Sequence, residues 1–323
     1  MIEDLVFGPV PSRRLGLSLG VNNIPPKHCT YSCVYCQIGR TAHIDIRRKE
    51  FYDPRAIIRE VISKAEKTAP DVITFVPDGE PTLDLNLGFE IKGIKEAIRT
   101  PVAVITNSSL LFMEDVRRDL LNADIISIKV DSVSKRVWKL VNRPHPSLEL
   151  EKVLKGIEEF SLSYKGELIS ETMLVRGLND SREEISKVAE FLSCLNISRA
   201  YISIPIRPPA EPWVQSPEEQ ALSDAYNIFR EILSDSVKVE LLIGYEGSGF
   251  KVEEDPIKYI EATAAVHPIR LDYAEEILRG KGYEPDDVIR DLLERGVLLV
   301  TSYKGKKFLV RKLPKIRTIV ERS

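Results

Sequence analysis

Short runs of apolar, β-branched residues alternate along most of this chain with longer stretches in which apolar positions recur every three or four residues. Asp71-Val-Ile-Thr-Phe-Val76 is one such run, the pattern of a strand buried on both faces of a parallel sheet. Asp53-Pro54 ahead of it reads as a helix start, with Asp as the cap and Pro in the first turn. Ile57, Ile58, Val61, Ile62 and Ala65 then follow at helical spacing. Further strands are expected near 102–106, 124–130, 168–175, 200–205 and 237–243, with helical stretches between them; Leu150, Val153, Leu154, Ile157 and Phe160 share one helix face. Such alternation over about 240 residues argues for an α/β fold with a parallel sheet, open or closed into a barrel. Functional groups then belong at the carboxyl ends of the strands. The opening stretch from Phe7 to Val21, punctuated by Gly and Pro, reads as a loop feeding a first strand.

Beyond Gly244-Tyr-Glu-Gly-Ser-Gly249 the pattern changes. Residues 256–265, 269–278 and 285–295 read as three short helices, and 297–301 and 307–311 as a hairpin about Lys304-Gly305. Three helices and a hairpin make a winged-helix-like C-terminal domain, so the expected division is 1–250 and 251–323. Such modules bind DNA, RNA or peptides, or dock on their own enzyme. Length and composition agree with roughly two domains: 323 residues, 43% hydrophobic. A net charge of −3 hides a basic end, where residues 302–323 hold eight Lys or Arg (Lys304, Lys306, Lys307, Arg311, Lys312, Lys315, Arg317, Arg322) against Glu321. A polyanion such as RNA fits that end; a solvated charged tail is the alternative. The candidate recognition helix is acidic at Asp286, Asp287, Asp291 and Glu294, so the wing, not the helix, would meet phosphate. No signal peptide or membrane span is read anywhere, which implies a cytoplasmic protein with reduced thiols. The wealth of Ile, Val, Glu, Lys and Arg leans toward a thermophile.

Three of the four cysteines, Cys29, Cys33 and Cys36, fall within eight residues. Thiolates at this spacing can converge on a polynuclear centre, for which cysteine sulfur is the usual ligand. The alternative is a tetrahedral zinc site completed by His28 or Cys194. Zinc sites, however, usually present two short pairs separated by a longer loop. Cys194 sits in a helix-patterned segment and reads as a small core residue. An oxidised disulfide scaffold would need a dispersed, even set of cysteines.

The trio with Tyr35 just before its third member resembles the cluster loop of the radical S-adenosylmethionine (SAM) superfamily. Pro77-Asp-Gly-Glu-Pro-Thr82 resembles that family's Gly-Gly-Glu-Pro segment, with Asp78 in place of the first glycine. The resemblance implies a partial (β/α)6 TIM-like barrel and a single 4Fe-4S cluster on Cys29, Cys33 and Cys36, with SAM chelating its open iron. It further implies that Tyr35 meets adenine and that Asp78, Gly79, Glu80 and Pro81 meet the methionyl amine. A ferredoxin or flavodoxin-like electron donor, reductive SAM cleavage and hydrogen abstraction from a substrate follow from it. By position at strand ends, Asn107 is expected to meet SAM or substrate, or else to cap a turn as Asn commonly does. Thr172 is counted with the cofactor set, and Lys129 and Asp131 are the candidate catalytic residues. Alternation should point either Glu171 or Thr172 into the barrel, where a carboxylate needs a partner. Arg13 and Arg14 could meet a carboxylate or phosphate near the cluster.

Ser127-Ile-Lys-Val-Asp131, Trp138-Lys-Leu-Val-Asn-Arg-Pro144, Thr172-Met-Leu-Val-Arg-Gly-Leu-Asn179 and Arg207-Pro-Pro-Ala-Glu-Pro-Trp213 narrow the resemblance to the branch containing the wyosine-synthesis enzymes. The archaeal wyosine enzyme carries a second cluster on three more cysteines, and this chain has only Cys194 left, so a single-cluster reaction is expected. The implied substrate is a macromolecule, tRNA first and a peptide or protein second. A non-enzymatic, metal-binding winged-helix regulator is the reading from another class. Lys129, Arg143, His145, Arg207 and Glu211 are substrate-contact candidates, and a monomer is expected.

Overall fold

The first departure from the expected pattern comes at the amino end, in a computed structural model that describes residues 5–244, 252, 255–266 and 268–311. Val6–Ser12 is a strand, β1, paired antiparallel with β2 (Gly16–Val21) and irregular between Phe7 and Val10. Its prolines suggested a loop, yet β1 lies at the sheet edge, where a missing N–H costs no ladder bond. Two-residue strands β3 (His28–Cys29) and β4 (His43–Ile44) pair in parallel and close the base of the cysteine-bearing loop.

From β2 onward the expected alternation holds. The order is α1 (Pro54–Thr68), β5 (Val72–Phe75), a 3₁₀ turn at Pro81–Leu83, α2 (Leu87–Ala97), β6 (Val102–Ile105), α3 (Glu114–Leu120) and β7 (Ile125–Lys129). Then come α4 (Lys135–Asn142), α5 (Leu150–Ser163), β8 (Glu167–Met173), α6 (Arg182–Ser193), β9 (Arg199–Ser203), α7 (Glu219–Ile232) and β10 (Lys238–Leu242). The sheet order is β1-β2-β5-β6-β7-β8-β9-β10, every neighbour after β2 being parallel. Six helical crossovers thus join seven parallel strands, the TIM-like α/β barrel that was expected, with β1 as an added edge. Arg13 in the β1–β2 turn donates to the Leu242 carbonyl (2.8 Å), tying the first edge to the last strand.

α1 starts where its signals place it: Asp53 accepts from Arg55 N (3.0 Å), and Pro54 is the first helical residue. Ile57, Val61 and Ala65 are buried against the sheet, each large aliphatic contributing roughly 1.5–3 kcal/mol by burial. Leu150, Val153, Ile157 and Phe160 do the same for α5. On the inner face, Ile169, Tyr201 and Leu242 pack with half-buried Leu15 and Ile125 into an apolar plug. By strand periodicity Ile125 and Ile169 share the face of Lys129 and Glu171, so the plug lies on the same inner face as those two charged residues.

After β10 come α8 (Pro256–Val266), β11 (Ile269–Arg270), α9 (Leu271–Gly280), α10 (Pro285–Glu294), β12 (Leu298–Tyr303) and β13 (Lys306–Arg311). Ile269 and Arg270, expected to open a helix, instead pair with β13 in a three-stranded antiparallel sheet. Lys304 and Gly305 both have positive φ, the two-residue turn that suits a hairpin. The apolar core of this unit takes in Phe7 and Val10 of β1, and Tyr259 Oη donates to the Pro9 carbonyl (2.7 Å). The expected boundary at 250/251, most of the glycine-rich segment and the basic stretch 312–323 lie outside the described residues. Among the described residues, no helix is long and apolar enough to cross a membrane.

Candidate active site

The three cysteines sit on a loop pinned at several points. Ser32 N donates to the Asn142 carbonyl (3.1 Å), Val34 N to Val141 (2.9 Å) and Cys36 N to Cys33 (3.1 Å). Glu211 N, from the loop after β9, donates to the Val34 carbonyl (3.0 Å). All three thiols are half-buried, and burial raises the pKa of each, that of Cys33 to about 12. Such thiols hold their protons until a cation replaces them. Two carboxamides reach the sulfurs: Asn107 Nδ2 lies 3.5 Å from Cys29 Sγ and Asn142 Nδ2 lies 3.5 Å from Cys33 Sγ. Amide donors to cysteine sulfur are what an iron–sulfur centre uses to spread its charge. Lys27 adds a buried amine whose Nζ has no hydrogen-bond partner; burial lowers its pKa, and Cys36 and Asp78 act in the opposite direction. The donor set therefore fits an anionic cluster. Cys194 proves exposed, at the end of α6, rather than a core residue.

The segment after β5 packs directly on this loop. Gly79 is required there, since a Cβ would fall 1.6 Å from the His28 carbonyl oxygen. Glu80 N donates to that same oxygen (3.1 Å), and Lys27 N to the Asp78 carbonyl (2.8 Å). The Glu80 carboxylate is fully buried. Its Oε1 accepts from Thr82 N (3.2 Å), Thr82 Oγ1 (2.6 Å) and Thr106 Oγ1 (2.6 Å), and its Oε2 from Asn107 N (2.7 Å). Both oxygens thus serve to lock the end of β6 to the Gly-Glu-Pro turn. Asn107 caps a turn, its Oδ1 accepting from Ser109 N (3.0 Å), while its Nδ2 reaches Thr30 Oγ1 (2.7 Å) and Cys29 Sγ (3.5 Å).

Asp131 is likewise buried and fully engaged. Its carboxylate accepts from Tyr35 Oη, Asn142 Nδ2 (2.6 Å) and Met173 N (2.8 Å), with Lys129 Nζ at 3.7 Å. Asp131 holds the Tyr35 phenol, and Lys129 Nζ lies 5.1 Å from that ring's centre. Alternation in β8 resolves in favour of Glu171. Thr172 turns outward and donates to the Val130 carbonyl (2.9 Å), correcting its expected place in the cofactor set. Glu171 faces inward and accepts from Arg14 and from Ser203 Oγ (2.7 Å), with Lys129 Nζ at 3.4 Å. Arg14 does meet a carboxylate, as one of the expected partners, and burial lowers its pKa to about 10.

A cavity of ≈ 320 Å³ opens at the carboxyl ends of the strands, bounded by Tyr35, Cys36, Gln37, Lys129, Glu171 and Arg207. Arg207 Nη1 donates to Gln37 Oε1 (2.9 Å). Arg143 and Glu211 pair outside the cavity, and His145 Nδ1 accepts from Ser147 N (3.2 Å) in a local turn. The structure adds Asn142 and Ser203 to the site and gives Thr30 and Thr106 hydrogen bonds within it.

A parallel α/β barrel carrying a three-cysteine loop and a Gly-Glu-Pro turn beside a cavity at the carboxyl ends of its strands defines a class: the chain belongs to the radical SAM superfamily, whose family model matches residues 23–192. Membership brings a 4Fe-4S cluster and SAM as cofactors and makes the chain an enzyme. More particularly, it is 44% identical to a UPF0026 protein of Methanocaldococcus jannaschii over 96% of both chains. Among solved structures, Streptococcus suis SuiB bound to SAM shares the fold with a TM-score of 0.54 and 10% identity, over 70% of this chain and 50% of that one. TYW1 with a lysine-pyruvate adduct bound gives a TM-score of 0.50 and 15% identity, over 67% and 74%.

Proposed function

We propose that this enzyme uses one cluster, held by Cys29, Cys33 and Cys36, to act on a macromolecular substrate, tRNA being the leading class. The observation that carries the site reading is the reach of the Asn107 and Asn142 amides to two of the three thiols, Cys29 and Cys33, on the loop whose third cysteine, Cys36, borders the cavity. When bound, the cluster and SAM would supply one-electron reductive chemistry leading to hydrogen abstraction from substrate.

The chain's own part is placement. Gly79 keeps the Gly-Glu-Pro turn against the cysteine loop, so that Asp78 to Pro81 border the place of the methionyl amine. Glu80 and Asp131 work through the groups they hold, Asn107 and Tyr35, and are positioning residues. Tyr35, fixed by Asp131 and covered by Lys129, would be the neighbour of the adenine. Lys129 and Glu171 line the inner wall; Lys129 is the residue of the two original catalytic candidates that faces the cavity. Arg14 and Glu171 neutralise one another there, leaving a cavity richer in cations than anions and suited to an anionic substrate portion.

The winged-helix reading of residues 256–311 supports an RNA substrate through its basic hairpin, Lys304, Lys306, Lys307 and Arg311. The test is anaerobic turnover with deuterium-labelled total tRNA, the cluster reduced and 5′-deoxyadenosine recovered. Deuterium in that product supports the reading. Unlabelled 5′-deoxyadenosine at every concentration of tRNA would remove tRNA as substrate.

A further inference from the structure

Outside the cavity, the loop after β9 shows one aromatic side chain to solvent in an unusually fixed way. Glu211-Pro-Trp-Val214 is a turn closed by Val214 N donating to the Glu211 carbonyl (3.0 Å), and it is bonded to the cysteine loop at Val34. Proline at the second turn position pre-sets the backbone. Trp213, the third, is 51% exposed, whereas the chain's other tryptophan, Trp138, is 3% exposed. A lone exposed apolar residue needs no explanation; this one is flanked by cations at both ends.

On one side, Glu211 accepts two bonds from Arg40 (2.8 and 2.9 Å) and one from Arg143. The Glu211 side chain is 4% exposed while that of Arg40 is 71% exposed. One buried carboxylate thus fixes two guanidiniums whose outer faces meet solvent. On the other side, Arg176 N donates to the Gln215 carbonyl (3.0 Å) and its Nε to the Ser216 carbonyl (3.0 Å). Arg176 also has Gln215 Oε1 at 3.4 Å and Glu218 at 3.8 Å. Lys304, at the tip of the β12–β13 turn, reaches Ser216 Oγ. Lys306 and Lys307 follow it on the exposed hairpin, and Tyr303 Oη anchors the same tip to the Pro205 carbonyl (3.0 Å). The basic hairpin is therefore tied to the loop that borders the cluster.

We propose that this edge is a track for single-stranded RNA: an unstacked base lies on the Trp213 indole, and phosphates are held by Arg40 and Arg143 on one side and by Arg176, Lys304 and the basic hairpin on the other. It rests on the RNA reading above and names how that substrate is gripped. Stacking on an aromatic face is open to any base, and guanidinium groups hold the backbone, which is how single strands are bound without a sequence code. The turn's bond to Val34 sets the stacked base beside the cavity mouth, where Tyr35, Cys36 and Gln37 begin.

The test is anaerobic binding of a short single-stranded oligoribonucleotide, its duplex and total tRNA to the cluster-loaded protein and its variants. The single strand binds more tightly than the duplex. W213A loses about tenfold in affinity, the scale of one stacked base, and W213F recovers most of it. In R176A/K304A the slope of log affinity against log salt falls by about 1.4, two contacts at about 0.7 each. Melting temperatures matching the parent confirm that these exposed changes leave the fold intact. Overturning results are W213A binding within twofold of the parent, or the duplex binding as well as the single strand. Loss of all RNA binding by the parent at low salt would remove the RNA reading itself, and this track with it.

Discussion

Replacing Glu80 tests whether a buried carboxylate organises the site through its acceptors. Four donors converge on it, two of them backbone N–H groups, of Thr82 and Asn107, and two threonine hydroxyls. In Glu80→Ala the hydroxyls can rotate, but the two N–H groups cannot. Each stranded donor costs about 1–3 kcal/mol, so the loss is about 2–6 kcal/mol against a total stability of about 5–15 kcal/mol. Glu80→Gln opposes a donor to one N–H only, at about 1–3 kcal/mol. Burial also pushes the Glu80 pKa up, so the charge already costs something where it stands, and Gln falls at the low end of that range. The expected order is parent, then Gln, then Ala. Urea unfolding of the cluster-free chain under reducing, anaerobic conditions reads it from the midpoints, provided the slopes agree. Glu80→Ala within about 1 kcal/mol of the parent, or Gln no better than Ala, would refute the reasoning.

Three further outcomes follow from the same contacts. Gly79→Ala forces its methyl onto the His28 carbonyl and should cost several-fold in iron bound after anaerobic reconstitution; parental iron content would contradict the packing. Glu90 is fully buried beside Asp84, and burial together with that neighbouring charge raises its pKa. The folded state then keeps a proton the unfolded state releases, so this group's contribution is present below the ordinary carboxylate range and is lost as pH rises toward its folded value. Urea midpoints between pH 6 and 9 should accordingly fall less steeply for Glu90→Gln, by up to about 1.4 kcal/mol per pH unit for one proton, and an unchanged slope would contradict the assignment. The separate losses from Arg14→Met and Glu171→Gln should sum to more than the loss of the double variant, by a coupling of about 1–3 kcal/mol in a double-mutant cycle; additive losses would mean that the pair does not act as one.

Local chemistry made much of this site readable in advance. Cys29, Cys33, Cys36 and the Gly79-Glu80-Pro81 turn announce themselves because their ligand chemistry and backbone demands are set by near neighbours. The strands around Ile73, Val104 and Ile126 are readable because burial on both faces leaves a continuous apolar run. What escaped depends on partners far apart in sequence. Arg14 and Glu171 are separated by 157 residues, and only the folded register of β8 tells that Glu171, not Thr172, looks inward. Asn142 closes on Cys33 across 109 residues, with nothing local to mark it out from a surface asparagine. The β1 hairpin was hidden by prolines that an edge strand tolerates, and Cys194 by a helical pattern that did not say where the helix ends.

The most direct measurement on the central claim is iron spectroscopy under argon on the reconstituted chain and on Cys29→Ala, Cys33→Ala and Cys36→Ala. The parent should show a 4Fe-4S centre that perturbs on adding SAM, and each variant should lose it. A colourless zinc-bound parent, or any one of the three variants keeping the full cluster, would contradict the account.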